Sequence, residues 1–377
     1  MAASVIIAEQ TMVHLEQFGK RHIASGGQSM KNLVYACIGT GGIADKKHLA
    51  NYARLPGVEM AAVCDISRDT AERMASKYNV ARVYTDYRQM LAEVKPDIVS
   101  VCTTNQLHKP MAIDCLEAGA NVHLEKPIAL NAAEAEEIVA ARDRTGRQVM
   151  VALNNRFTPE SVYVARMVAE GFFGDIYHAA CGWKRRNGIP GKGVWFTDQA
   201  RSGGGPLIDL GVHYLDLVLH FMGFPEVSRV TGATWCRFAD QDHRLRPGYK
   251  NLGDGLFNVE DMAVGTLYTH DGAAIRFEFS WASNIEKETK YFELMGTKGG
   301  ALWRDGELKL FTEAARTGIT ITPDLSLMPS YDSEYAHFAH CVRTGETVSA
   351  PAEHGLTLMR IVDAVYRSAR EACEIRL

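Results

Sequence analysis

Between residues 33 and 153 short apolar runs alternate with helical patterns, and this alternation restricts the fold more than any other feature of the chain. Residues 33–38, L-V-Y-A-C-I, have the uninterrupted apolar character of a strand buried on both faces. They lead into Gly39-Thr40-Gly41-Gly42-Ile43-Ala44 and then a helical pattern to about residue 55. Further strands are expected over 58–64, 82–84, 97–102, 121–124 and 148–153, and helices over 70–78, 87–94, 109–118 and 132–145. Strands separated by helical stretches of this length predict a parallel sheet with right-handed crossovers.

Strand, G-x-G-x-x-A and helix together make a dinucleotide fingerprint of the doubly wound Rossmann type. The glycines permit a tight turn and close approach of backbone N–H groups to a pyrophosphate, and Ala44 permits close packing of helix on strand. Asp65 ends the second strand, near the distance of about 20 residues at which a carboxylate accepts from the ribose hydroxyls of NAD. A carboxylate there repels a 2′-phosphate, so NAD is expected and NADP disfavoured. Arg68 would either reach such a phosphate or stand solvated in the first turn of the next helix. Ligands of open α/β sheets sit beyond the carboxyl ends of the strands. That places Thr103, Asn105 and His108 after the fourth strand, and Glu125 and Lys126 after the fifth, with Gly39, Thr40, Gly41, Gly42, Ile43, Asp65 and Arg68 in the expected cofactor set. Asn155 and Arg156 follow the sixth strand and are assigned to substrate. A sharp turn at Lys126-Pro127 would favour a cis bond.

In the second half, Gly203-Gly204-Gly205-Pro206 turns into an apolar helical run to about residue 220. Asp209 and His213 stand four apart, on one face of that helix. Either they satisfy each other inside a core, or the imidazole is an acid/base whose tautomer and proton affinity the carboxylate sets. Upstream, residues 185–196 (R-R-N-G-I-P-G-K-G-V-W-F) form a basic, glycine-rich stretch, read as a solvated connector or as a substrate loop. In the second reading Arg186 donates to hydroxyls and Trp195 offers a flat apolar face. Strands are expected over 227–237, 262–269, 273–283, 290–295 and 300–304, with hairpin turns at His270-Asp271-Gly272 and Gly296-Thr297-Lys298-Gly299. These predict an antiparallel meander, closed by helices over 332–344 and 353–373. One face of such a sheet needs a partner, which makes a homo-oligomer, dimer or tetramer, expected.

With G-x-G-x-x-A, Glu125-Lys126-Pro127 and Asp209-x-Gly211-x-His213 in this order, the chain resembles the glucose–fructose oxidoreductase/inositol dehydrogenase (Gfo/Idh/MocA) family from about Lys31 to the C-terminus. The resemblance implies a Rossmann domain (31–153) after an N-terminal extension (1–30). An α+β domain with a large, open, mostly antiparallel sheet follows (154–377), its C-terminal helices free to pack back on the first domain. Members mostly oxidise or reduce a carbinol of a sugar, cyclitol or glycoside with NAD(P), and the family's lysine, aspartate and histidine match Lys126, Asp209 and His213. On that basis Lys126 hydrogen-bonds the reacting oxygen, His213 is the base, and Asp209 orients it; the lysine and the imidazole are expected to meet across the nicotinamide. Oxidation at C3 of a glucoside or pyranose is the first expectation. A cyclitol 2-dehydrogenase and an NAD-dependent glycosidase acting by transient oxidation are the alternatives. The extension and a polar insertion near 237–258 depart from the family pattern.

The rest of the composition excludes other classes. A formal charge of −4 supplies no footprint for nucleic acid. No uninterrupted apolar run is long enough for a bilayer, and 1–29 lacks the basic start of a secretory signal. An amphipathic helix is expected near 13–18. Eight cysteines without a C-x-x-C pair point to reduced thiols in a cytoplasmic protein. His337 and His340 alternate with apolar residues and are read as packing. Asp209 and His213 have no third ligand nearby in sequence, so no metal is expected.

Overall fold

The computed structural model describes residues 32–248, 255–328 and 332–377. The helix expected near 13–18 and the tip of the 237–258 insertion lie outside the described residues.

The chain divides into two compact units. One holds residues 32–153 and Asp332–Met359, the other Asn154–Tyr331 and Arg360–Leu377. In the first, strands β1 (Leu33–Ile38), β2 (Val58–Cys64), β3 (Arg82–Tyr84), β4 (Ile98–Val101), β5 (Asn121–Leu124) and β6 (Val149–Val151) make one sheet in the order β3-β2-β1-β4-β5-β6. All of its pairings are parallel. β4, β5 and β6 are buried along their whole length, which is why they read as unbroken apolar runs. The flanking helices begin at side-chain caps: Ser67 accepts from Thr70 N–H, Asp86 from Arg88 N–H, and Asn131 from Glu134 N–H. Gly146, at φ +64°, ends the helix Ala132–Thr145.

The second unit carries a nine-stranded sheet. Its strands are β7 (Ile176–Lys184), β8 (Val227–Trp235), β9 (Met262–Thr269), β10 (Ala274–Ser280), β11 (Thr289–Gly296), β12 (Gly299–Arg304), β13 (Glu307–Ala314), β14 (Thr317–Ile321) and β15 (Ile375–Arg376). Their order is β14-β13-β12-β11-β7-β10-β9-β8-β15. Both expected hairpins form, but the continuous meander does not. β7 enters between β10 and β11, running parallel to β10 and antiparallel to β11. Residues 281–288 therefore cross over a strand instead of turning beside one, and they lack the glycine pair that a tight hairpin needs. β13 and β14 carry mostly exposed side chains, and only Leu308 and Leu310 of β13 are buried in alternation, a pattern too short to mark a strand. The Asp305-Gly306 turn, with φ +50° and +100°, was the available signal. The helix Val212–Phe221 packs on β7 and β11, over a core that includes Phe277, Phe279, Phe292 and Trp281.

Candidate functional site

In the first unit, the turn after β1 has the shape its glycines predict. Gly39 has φ +81°, and a Cβ there would meet the Cys102 carbonyl oxygen at 2.6 Å, so only glycine fits. A Cβ on Gly41 or Gly42 would meet nothing within 4 Å, which leaves open space in front of the turn. Ile43 is 41% exposed beside it. The helical stretch that follows is π-helical over Ala44–Leu49. Asp65 accepts at Oδ2 from Thr40 N–H (2.8 Å) and at Oδ1 from Ser67 N–H (2.9 Å). Thr103 carries a buried hydroxyl with no hydrogen-bond partner among the described residues. An open glycine cradle, an anchored carboxylate and an orphaned hydroxyl at the carboxyl edge of a parallel sheet fit a dinucleotide.

Several residues expected at the cofactor are engaged by partners within the unit. Thr40 is buried, and both its N–H and its hydroxyl donate to Asp65, so it holds the carboxylate in place. Arg68 is exposed, with its Nε donating to Glu72 one helical turn on (2.8 Å). His108 is fully buried with Nδ1 2.7 Å from the Pro127 carbonyl oxygen, and burial pushes its pKa down. As the neutral tautomer it donates to that carbonyl and braces the turn after Lys126. Glu125 is buried and faces inward, with Oε1 2.9 Å from His48 Nε2. Burial opposes its charge, but His48 and Lys126 outweigh that and hold it down at about 2. Asn105 is buried in the turn after β4, while Lys126 is half-buried at the end of β5, ahead of a cis bond to Pro127.

In the second unit, Asp209 lies in a π-helical turn, Leu207–Gly211, that runs into the α-helix Val212–Phe221. Within this otherwise buried stretch Asp209, His213 and His220 keep partial exposure. Asp209 Oδ2 accepts from the indole N–H of Trp281 (3.0 Å). The His213 ring lies 6.4 Å from that of Trp183, which carries the Arg185 guanidinium at 4.4 Å and the Lys290 ammonium at 4.3 Å.

The start of this stretch is held by a residue that sequence reasoning passed over. The buried Glu260 carboxylate accepts from Gly205 N–H (2.9 Å), Leu207 N–H (3.1 Å) and the Tyr366 hydroxyl (2.9 Å). Burial pushes its pKa up to about 7 against these three donors. The glycine run is a packing requirement: a Cβ on Gly205 would lie 1.9 Å from the Glu260 carbonyl oxygen, and one on Gly204 would lie 2.0 Å from the Tyr366 hydroxyl. Nothing local in the sequence links Glu260 to a helix 50-odd positions earlier.

The expected substrate residues divide. Asn155 and Trp195 are half-buried, and Trp195 stacks on Phe196 at 3.8 Å. Arg186 is exposed and donates to the Glu286 carbonyl (2.8 Å). The 185–196 loop is anchored by the insertion: Gly188 and Ile189 N–H donate to the Arg244 carbonyl, and Arg246 N–H to Ile189. Arg156, expected at the substrate, is buried in a bidentate pair with Asp216, at 2.8 and 2.5 Å, and so supports the unit from inside. His337 is buried and accepts from Ser349 N–H (2.9 Å). Among the described residues no helix is long and apolar enough to cross a membrane.

Residues 33–153 match an oxidoreductase family described by its NAD-binding Rossmann fold, and residues 165–377 match the C-terminal alpha/beta domain of the same family. The chain belongs to the Gfo/Idh/MocA family. This family member is 33% identical to D-glucoside 3-dehydrogenase of Escherichia coli (strain K12), over 92% of this chain and 97% of that one. It is 25% identical to D-apiose dehydrogenase of Paraburkholderia graminis, over 94% and 92%. Levoglucosan dehydrogenase, solved in complex with NADH and L-sorbose, superposes with a TM-score of 0.81 at 22% identity, over 92% of this chain and 99% of that one, and shows the shared fold. The protein is thus an oxidoreductase with an NAD-binding Rossmann domain.

Proposed function

We propose that this enzyme oxidises a secondary alcohol of a sugar or glycoside with NAD, first at C3 of a glucoside or pyranose. The observation that carries the reading is that Asp209 and His213, one turn apart, both keep partial exposure on a buried helix, with Asp209 held by Trp281. The C3 position is supported by the similarity to D-glucoside 3-dehydrogenase. Asp65, held by Thr40 and Ser67 against the cofactor turn, supports NAD over NADP.

Bound NAD supplies the hydride acceptor. His213 takes the hydroxyl proton at Nε2, its Nδ1 being buried. Asp209 keeps the imidazole oriented and stabilises its protonated form, and Trp281 keeps Asp209 from turning away. Lys126 donates to the reacting oxygen, favours the developing alkoxide and selects which hydroxyl reacts. The open side of the 185–196 loop, with Arg186 and Trp195, takes the rest of the ring. The same reading places the protein in the cytoplasm as a homo-oligomer joined through the nine-stranded sheet, for which the exposed Tyr177, Met295 and Phe311 are the support; light scattering tests the assembly.

The purified protein, screened with sugars, glycosides and cyclitols, should form NADH with a glucoside. His213→Ala should lower turnover by about 10²–10⁴, and Lys126→Ala should abolish it while NADH still binds. Normal turnover in a folded His213→Ala protein removes the base assignment. Oxidation of free cyclitols alone would select a cyclitol 2-dehydrogenase, and net hydrolysis without NADH accumulation an NAD-dependent glycosidase.

A further inference from the structure

We propose that His48 is a positioning residue for Lys126, a role that rests on the lysine function proposed above. His48 lies in the π-helical turn that follows the cofactor loop, and its side chain is fully buried. Its two ring nitrogens reach two different strands: Nδ1 is 2.9 Å from the Ser100 hydroxyl on β4, and Nε2 is 2.9 Å from Glu125 Oε1 at the end of β5. The other carboxylate oxygen, Oε2, accepts from the Lys126 backbone N–H at 3.2 Å. One connected path therefore runs from the turn carrying the glycine loop, through an imidazole and a carboxylate, to the peptide of the lysine.

The surroundings restrict what His48 can do. Its ring packs 4.7 Å from that of His123 and edge-on to Tyr335 at 5.5 Å. His123 is engaged in turn by the Tyr52 hydroxyl (2.9 Å) and by Glu334 (3.3 Å). A buried imidazole walled by rings cannot swing away, so the Glu125 carboxylate is held at one place. The Lys126 amide is held with it, which fixes the root from which the ammonium extends. A misplacement of about 1 Å in such a group costs roughly 10²-fold in rate.

Two substitutions separate the two nitrogens. A glutamine amide reaches the place of Nε2 and can still donate to Glu125, whereas an asparagine amide reaches the place of Nδ1 and can engage only Ser100. We expect His48→Gln to stay within about threefold of the parent kcat and His48→Asn to lose about 10- to 100-fold. NADH affinity, read by fluorescence titration, should be similar in the two variants, with the best substrate of the screen used for turnover. Ser100→Ala should lower the melting temperature with kcat unchanged. Equal kcat losses in His48→Gln and His48→Asn, or a loss in His48→Asn that tracks weaker NADH binding, overturns the inference. Should His48→Asn not fold, Glu125→Leu removes both acceptor oxygens and should show the same kcat loss; undiminished turnover in that variant also overturns it. Normal turnover in Lys126→Ala would instead bring down the function assigned to the lysine, and is separately visible.

Discussion

Arg156 supplies the sharpest test of the division between residues that hold the molecule and residues that face a ligand. Its guanidinium and the Asp216 carboxylate form two parallel hydrogen bonds with side chains 2% and 1% exposed, and Phe224 lies against the guanidinium at 5.2 Å. Burial pushes the Asp216 carboxyl up and Arg156 pulls it back, so each group depends on the other. Asp216→Leu leaves a cation in the core with no counter-charge, at a cost of about 3–5 kcal/mol. For a unit of this size that lowers the melting temperature by roughly 10 °C. Arg156→Leu should cost a comparable amount, moderated by protonation of the stranded carboxyl. The double variant replaces the pair with packed hydrocarbon and should recover most of the loss, where independent effects would sum. Circular dichroism melts of the three proteins measure this. If Arg156→Leu melts like the parent and instead raises KM for the sugar, the guanidinium is a substrate ligand and the structural reasoning is wrong.

Two glycines should behave in opposite ways: Gly205→Ala drives a Cβ into the Glu260 carbonyl and should destabilise by about 3 kcal/mol or more, whereas Gly41→Ala meets no protein atom, so its melt should be unchanged while NADH binding weakens. Trp281→Phe removes the indole donor from Asp209, and kcat should fall about tenfold with little change in NADH affinity. Glu260 has a folded-state pKa of about 7, above the usual value of about 4.3 for an unfolded chain. Its stabilising contribution is therefore complete below that lower value and disappears as pH rises through about 7. Glu260→Gln should gain on the parent by about 4 kcal/mol across that interval in urea titrations; parallel stability curves would refute the raised value.

The parts of this protein that its sequence determined alone are those set within a few residues. The φ of Gly39, the caps at Ser67, Asp86 and Asn131, the buried runs of β1, β4 and β5, and the Asp209/His213 spacing all follow from local sterics and periodicity. They were enough for the Rossmann sheet and for the family. What only the tertiary structure decided depends on which distant groups come together. β7 slips between β10 and β11, and Asp332–Met359 joins the nucleotide-binding unit. Arg156, His108 and Glu125 each stand just past a strand that points at a ligand crevice, yet each turns inward. A polar side chain beyond a strand reads the same whether it meets a ligand or a buried partner, and only the fold brings up Asp216, Pro127 and His48 to decide which.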